Sequence, residues 1–121
     1  VYQGIQLTDL WFASLEYGNQ TSSLTTRQAL LSPDGAYYFV ISGRDPGHAN
    51  WLDTGALDRG VFLHRYDGVQ GEIDPKFFPS ANVVRLEDLS SLIPGFERVS
   101  AEERARVRAE RRRHLQVRFG R

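Results

Sequence analysis

The sequence predicts one small, mostly β domain that ends in an arginine-rich α-helix. Apolar and aromatic segments of strand length alternate with turns rich in Gly, Pro and Asp. The last part of the chain instead has a helix-capping signal and a run of arginines. The whole chain has 121 residues, a size at which a single hydrophobic core is the rule.

The first 42 residues contain three segments that predict strands. Residues 5–17 are rich in large apolar side chains and predict one or two β segments, with a kink near Thr8. Residues 24–31 fit a strand or a short helix, and their two consecutive threonines favour the strand. Residues 32–35 (Ser-Pro-Asp-Gly) form a strong turn before residues 36–42, the clearest strand of the chain. The turn and its flanks predict a hairpin.

The middle of the chain starts with a long loop, residues 43–60. Loops of this length in compact domains are usually functional or disordered, and the aromatic Trp51 favours an ordered one. Residues 61–66 alternate as a strand does, and residues 82–86 predict another short strand. Residues 87–92 predict at least one helical turn.

The last segment is a predicted helix from Ala101 to about Val117. Ser100 and Glu103 have the spacing of a capping box, in which the Ser side chain caps the helix and the Glu side chain reaches back. Apolar residues are few, so we expect this helix to be mostly solvated or to lie on an acidic surface. The sequence thus divides into a β body, residues 1–97, and a basic helix and tail, residues 98–121.

The net charge of zero hides a split between these two parts. Residues 98–121 hold nine Arg and three Glu, whereas residues 1–97 hold six Lys or Arg and twelve Asp or Glu. The acidic body and the basic tail are expected to attract each other, within one molecule or between two.

Several functional classes have no support in the sequence. The chain has no Cys, which excludes disulfides, thiolate zinc sites and a cysteine nucleophile. Its three histidines have no metal-binding spacing, and it has no phosphate-binding glycine motif, so we expect no metal and no cofactor. No apolar run is long enough to span a membrane and no signal peptide is visible, so we expect a cytoplasmic protein without membrane contact.

A set of short motifs resembles the C-terminal part of the family called domain of unknown function 1214. Its most specific part is residues 50–55 (Asn-Trp-Leu-Asp-Thr-Gly) followed by Arg65 at a strand end. The resemblance covers most of the chain and implies an antiparallel β-sandwich of jelly-roll character, as the end of a longer protein. It implies no activity. The motifs that also fit are Thr21-Ser22-Ser23-Leu24, Gln28, Asp34-Gly35, Asp45-Pro46-Gly47, Arg113-His114 and Arg118-Phe119.

The 43–60 loop and the strand after it hold the candidate ligand-binding residues. Trp51 could form an aromatic wall, with Asn50 and Asp53 fixing a ligand, or these side chains could hold the loop itself together. Arg65 shares a strand face with Val61 and Leu63, so a buried Arg65 needs a partner, either Asp53 or Asp45 or a ligand carboxylate. The full candidate set is Arg44, Asp45, His48, Asn50, Trp51, Asp53 and Arg65.

The arginines of the final helix are the candidate partner-binding residues. Arg104, Arg108, Arg111 and Arg112 lie roughly along one side of the predicted helix. A nucleic-acid interface is disfavoured, because the body is acidic, the arginines have no aromatic neighbours and glutamates are interspersed. A protein partner or a homo-oligomer fits the pattern better.

Two hypotheses of function follow. In the first, the domain is a structural or interaction module within a larger protein or oligomer. In the second, it has a small-molecule binding or catalytic site at the end of the sandwich, formed by the 43–60 loop and Arg65. The first is favoured, because every candidate residue has a sufficient structural role.

Overall fold

A computed structural model describes residues 2–16 and 18–120. Its strands are β1 (Tyr2–Thr8), β2 (Ser23–Thr25), β3 (Val40–Ser42), β4 (Trp51–Asp53) and β5 (Val61–Asp67). Two short 3₁₀ helices, Pro75–Phe77 and Leu86–Asp88, precede helix α1 (Leu89–Leu92) and the long helix α2 (Ala101–Phe119). The predicted combination of antiparallel strands with a C-terminal helix is confirmed.

Two small sheets form the body, and neither is closed. The first is antiparallel with strand order β2-β1-β5, and β1 pairs with β5 over seven residues. The second is a parallel pair of β3 and β4, in which Val40 lies opposite Trp51. The prediction of antiparallel strands alone is therefore wrong for the second sheet. Residues 43–50 connect its two strands and bring the chain back to the start of β3, so that β4 runs in the same direction as β3.

The first predicted strand is shorter than expected because a tight turn ends it after Thr8. The Asp9 carboxylate accepts hydrogen bonds from the backbone N–H groups of Trp11 (2.8 Å) and Ala13 (2.9 Å). Phe12 has a φ of 61°, a left-handed conformation that a strand cannot contain. The predicted kink is confirmed. Tyr17, at the end of the predicted segment, lies outside the described residues.

Other predicted strands are also shortened or absent. In the predicted segment 24–31, only the first two residues belong to a strand, which is Ser23–Thr25 and pairs with β1. In the predicted segment 36–42, only Val40–Ser42 is a strand. The expected hairpin is reduced to a turn with one isolated bridge, Leu31 to Tyr37. Residues 82–86 are not a strand; Val83 and its neighbours are exposed and have no paired chain beside them among the described residues.

Two clusters of buried side chains form the core. The larger one packs against the first sheet, and its members are Ile5, Leu7, Leu24 and Leu52, with Leu15 and Phe39 against them. The smaller one joins β3 to α1, and its members are Val40, Leu89 and Ile93, with Tyr38, Leu86 and Phe96 against them. The basic tail is not a separate unit, since the Val99 N–H donates to the Gly47 carbonyl (2.8 Å).

Half of the predicted capping box is present at the start of α2. The Ser100 hydroxyl accepts from the Glu103 N–H (3.1 Å), as expected. The Glu103 carboxylate does not reach back to Ser100 but pairs with Arg106 one turn later (2.5 Å). The prediction that Glu103 reaches back to Ser100 is therefore wrong, because the i,i+3 ion pair with Arg106 uses the same carboxylate. The helix ends at Gly120 in the left-handed conformation.

The cap leads to a stability prediction. We expect Ser100→Ala to lower the free energy of unfolding by about 1 kcal/mol, because one helix-end N–H loses its acceptor. Ser100→Gly should cost only a few tenths of that, since Gly is itself an acceptable N-cap residue. Urea denaturation of the three proteins measures both values. Equal losses in the two variants would contradict a role for the hydroxyl.

Candidate functional site

The 43–60 loop and helix α2 meet at an ion pair between the buried Arg104 and the half-exposed Asp45. Arg104 is 8% exposed although it lies on a helix that is otherwise almost wholly exposed. Its Nε and Nη2 donate to the two carboxylate oxygens of Asp45 (3.0 and 2.9 Å), and Nη2 also donates to the His48 carbonyl (2.5 Å). Its guanidinium carbon lies 5.1 Å from the centre of the Trp51 ring. This bidentate pair fastens the helix to the loop.

Asp45 remains ionised in this arrangement. Partial burial opposes the charged form, but hydrogen bonds from Arg104 and the Gly47 N–H, with the positive charges of Arg104 and Arg98, lower the pKa of Asp45 below its ordinary value. The Gly47 N–H bond (2.7 Å) also shapes the turn. Asp45 therefore has structural partners for both of its oxygens.

His48 is enclosed between the loop and the smaller core. It is 3% exposed, its ring centre lies 5.5 Å from that of Phe96, and its Nδ1 accepts from the Asn50 N–H (3.0 Å). Burial, and then the charge of Arg104, lower the pKa of His48. Because Nδ1 is an acceptor, His48 is neutral in the folded protein and carries its proton on Nε2.

Asn50 is also fully used inside the domain. It is 1% exposed. Its amide oxygen accepts from the Leu30 N–H (2.7 Å), and its amide nitrogen donates to the carbonyls of Leu30 (2.8 Å) and Tyr38 (3.0 Å). The Asn50 side chain therefore bonds backbone groups in both of the segments that the predicted hairpin should have paired with each other. The self-stabilising interpretation of this loop is supported here.

The remaining loop candidates divide between inner and outer positions. The Trp51 indole N–H donates to the Ser42 carbonyl (3.0 Å), across the parallel pair. The Asp53 carboxylate accepts from the Gly55 N–H (2.8 Å) and closes a turn. Arg44 is exposed. The structure brings Asp45, His48, Asn50 and Trp51 together around Arg104 and the loop backbone.

Arg65 is not the buried residue that was expected. It is exposed and forms no ion pair among residues 2–16 and 18–120, so the expected pair with Asp53 or Asp45 is wrong. The face it shares with Val61 and Leu63 was inferred correctly, but Val61 and Leu63 are only half-buried and Arg65 itself is exposed. The core-side face of β5 carries Phe62, which lies opposite the buried Leu7.

The arginine side of α2 faces the body more than it faces a partner. Arg111 donates to the Ser23 carbonyl, and Arg112 donates to the Asn19 side chain (3.2 Å). Arg108, the fourth candidate, is exposed. The assignment of Arg104 and Arg111 to partner binding is therefore corrected. The two parts of the chain attract each other within one molecule.

The sequence contains a pattern that indicates which side of α2 contacts the body, although the many charged residues around it obscure the pattern. Arg104, Val107, Arg111 and Leu115 follow each other at helical spacing, and these four are buried or half-buried. Val107 and Leu115 are apolar residues on the side of the helix that contacts the body. Gly18 packs so closely against Leu115 that a Cβ there would lie 2.5 Å from a Leu115 methyl group.

A different feature, missed by sequence reasoning, is an open apolar groove beside the larger core cluster, between the first sheet and the end of the 43–60 loop. Its volume is about 180 Å³. Ile41 (43% exposed), Leu57 (44%) and Phe62 (46%) present apolar surface to solvent there. Trp11, in the turn that follows Thr8 and outside the groove lining, is 89% exposed. The groove is lined by Leu7, Thr8, Leu15, Ile41, Thr54, Leu57, Asp58, Arg59, Gly60, Val61 and Phe62.

Two classes of site find no support in the described part of the chain. Residues 2–16 and 18–120 contain no group of three His, Asp or Glu side chains placed to hold a metal ion. No helix among them combines the length and the apolar character of a membrane span.

Comparison with known protein families, curated proteins and solved structures finds no match. The resemblance to domain of unknown function 1214 therefore stays a prediction.

The buried His48 predicts a dependence of stability on pH. Its pKa is lower in the folded protein than in the unfolded chain, so the unfolded chain binds more protons once the pH falls below about 6.5. The free energy of unfolding should then fall by at most about 1.4 kcal/mol per pH unit for this group. Asp45, with its lowered pKa, adds a second loss as the pH falls below its unfolded value near 3.8.

His48→Asn separates this contribution from the others. An Asn side chain can still accept from the Asn50 N–H but does not titrate. Unfolding measured from pH 7.5 to 5 should show a shallower slope for His48→Asn than for the wild type. His64, whose pKa burial also lowers, keeps part of the slope. The exposed His114→Asn is the control, and a slope that changes equally in both variants would contradict this assignment.

Proposed function

We propose that this domain is an interaction module that associates with another protein chain through the apolar groove, within a larger protein or an oligomer. The observation that carries the proposal is the exposed apolar surface at Ile41, Leu57 and Phe62, next to an open sheet. Large apolar side chains grouped around a groove mark association surfaces in soluble proteins. A partner that covers this groove would supply the second layer of a β-sandwich.

The alternative, a small-molecule or catalytic site in the 43–60 loop, has less support. Asp45, Asn50 and Asp53 use their polar groups to hold backbone or Arg104. A binding site keeps a few polar groups directed at its ligand. The groove, in contrast, has a mainly apolar lining, which suits protein contact.

The test compares the wild type with the double variant Ile41→Ser/Leu57→Ser in sedimentation velocity over a wide concentration range. We expect the wild type to sediment faster as concentration rises, because apolar surface becomes buried on association. The double variant should remain monomeric, with an unchanged circular dichroism spectrum. The control is Val84→Ser, which removes an equally exposed apolar side chain (44%) outside the groove lining.

Two results would overturn the proposal. The first is a wild-type chain that stays monomeric at every concentration. The second is a double variant that associates as the wild type does. A screen of small metabolites by thermal shift adds a third: a compound that stabilises the wild type but not Ile41→Ser/Leu57→Ser would make the groove a ligand site.

A further inference from the structure

The backbone hydrogen bonds of β1 alternate between its two neighbours. The Leu7 N–H donates to the Ser22 carbonyl (2.8 Å), and the Gln3 carbonyl accepts from the Thr26 N–H (3.2 Å). Odd-numbered residues of β1 therefore bond to the β2 side. In an antiparallel ladder, successive residues direct their backbone groups to opposite sides. Even-numbered residues of β1 consequently bond to β5.

This alternation decides which backbone groups of β5 are left over. Gln6 lies opposite Leu63 in the β1–β5 register, so odd-numbered residues of β5 bond inward. The N–H and C=O groups of Phe62, His64 and Tyr66 then point to the outer edge. β5 is the last strand of its sheet, and no backbone group in residues 2–16 and 18–120 bonds to this edge.

The open edge lacks the devices that usually prevent strands from pairing. β5 is seven residues long, contains no Lys or Pro, and pairs with β1 without a bulge. Its charged residues, Arg65 and Asp67, are exposed on the solvent-facing side. The core-facing side carries only Phe62, His64 and Tyr66, so the edge is built to accept another strand.

The edge is complementary to itself in one antiparallel register. We propose that two copies of this chain pair through β5 about a twofold axis at His64, an inference that rests on the proposed function and names its partner as a second copy. Phe62 then lies opposite Tyr66 of the second copy, and His64 lies opposite His64 of the second copy. Because these residues carry the outward groups, all of them find partners, and shifting the register by two residues would leave one residue of each strand unpaired.

The side chains support the same register. Phe62 is 46% exposed and would meet an aromatic ring, and aromatic pairs across antiparallel strands are favourable. The rings of His64 and Tyr66 already stack with centres 4.6 Å apart, which continues the aromatic row. The His64 Nδ1 is buried and has no hydrogen-bond partner among the described residues. Burial lowers the pKa of His64, so two neutral rings can lie side by side.

Single cysteines test the register directly, because the chain has none of its own. Opposed residues in a hydrogen-bonded antiparallel pair have Cα atoms about 5.5 Å apart, within the range of a disulfide. Under mild oxidation, we expect His64→Cys to form a covalent dimer on a non-reducing gel. Phe62→Cys alone and Tyr66→Cys alone should not, since equivalent residues would be about 13 Å apart. A mixture of these two variants should cross-link.

Circular dichroism confirms beforehand that each variant is folded, and Asn82→Cys, at an exposed residue outside the strand, measures random collision. A second measurement needs no cysteine. His64→Pro removes an outward N–H without touching the inward bonds, and edge strands tolerate Pro. We expect it to abolish dimers in sedimentation while the sheet signal persists.

The outcomes separate the two proposals. His64→Cys that cross-links no more than Asn82→Cys, in a chain that still associates through the groove, overturns edge pairing and leaves the module. Cross-linking of Phe62→Cys by itself overturns the register. A His64→Cys dimer whose association is unaffected by Ile41→Ser/Leu57→Ser supports edge pairing and overturns the role of the groove. A chain that never associates overturns both.

Discussion

We expect Asp45→Ala to lower the free energy of unfolding by about 2 kcal/mol, because Arg104 loses a bidentate, charge-assisted hydrogen-bond partner. The Arg104 side chain is only 9% exposed, whereas the Asp45 side chain is 45% exposed, so water replaces the lost carboxylate in part. The variant also loses the bond that shapes the turn at Gly47. Urea denaturation followed by circular dichroism gives the value.

A double-mutant cycle isolates the ion pair from the turn. Asp45→Ala/Arg104→Met should be more stable than Asp45→Ala, because an apolar side chain at 104 removes the unpaired charge. The exposed pair of Glu103 and Arg106 has similar chemistry, and Glu103→Ala should change stability little. If the Asp45 and Arg104 variants add without coupling, the pair does not hold helix α2 to the body.

The second large effect is expected at Asn50. Asn50→Ala leaves three part-buried backbone groups of Leu30 and Tyr38 without this hydrogen-bond partner. Because Leu30 is 51% exposed and water reaches part of these groups, the free energy of unfolding should fall by about 2 kcal/mol. Thermal and urea unfolding both measure it.

Asn82→Ala is the matched control, since Asn82 is exposed. It should unfold as the wild type does. The contrary result for Asn50 would be a folded, equally stable Asn50→Ala protein. That result would show that the Asn50 amide is not needed for stability, and Asn50 would again be a candidate for ligand binding.

Most strand positions were predictable from the sequence, but strand lengths were not, and Trp51–Asp53 is a strand within the predicted 43–60 loop. Val61–Asp67 matches its predicted segment closely, because alternating residues and the flanking glycines set both ends locally. Residues 36–42 have strong strand propensity, yet only Val40–Ser42 is paired. Asn50 takes up backbone groups of Leu30 and Tyr38 that a hairpin would have used, and side-chain competition of this kind depends on distant residues.

The candidate loop was found from the sequence, while its role was decided by a contact far along the chain. Asp45, His48 and Asn50 were candidates because loops that a rigid scaffold holds in place often carry binding residues. Arg104, the partner of Asp45 and of the His48 carbonyl, comes from the final helix, where seven arginines look alike in sequence. The helical spacing of Arg104 with Val107 and Leu115 is the one local signal, and the surrounding charged residues obscure it.

The sequence by itself determined the class of the fold, the turn after Thr8 and the capped helix from Ala101, since these depend on neighbours a few residues apart. Only the tertiary structure decided which face of β5 meets the core, which arginine enters it and which apolar residues stay outside. A strand has two faces and the helix presents many similar cations, so burial is chosen by what packs opposite. That choice leaves Arg65 in solvent and Phe62 at an open edge.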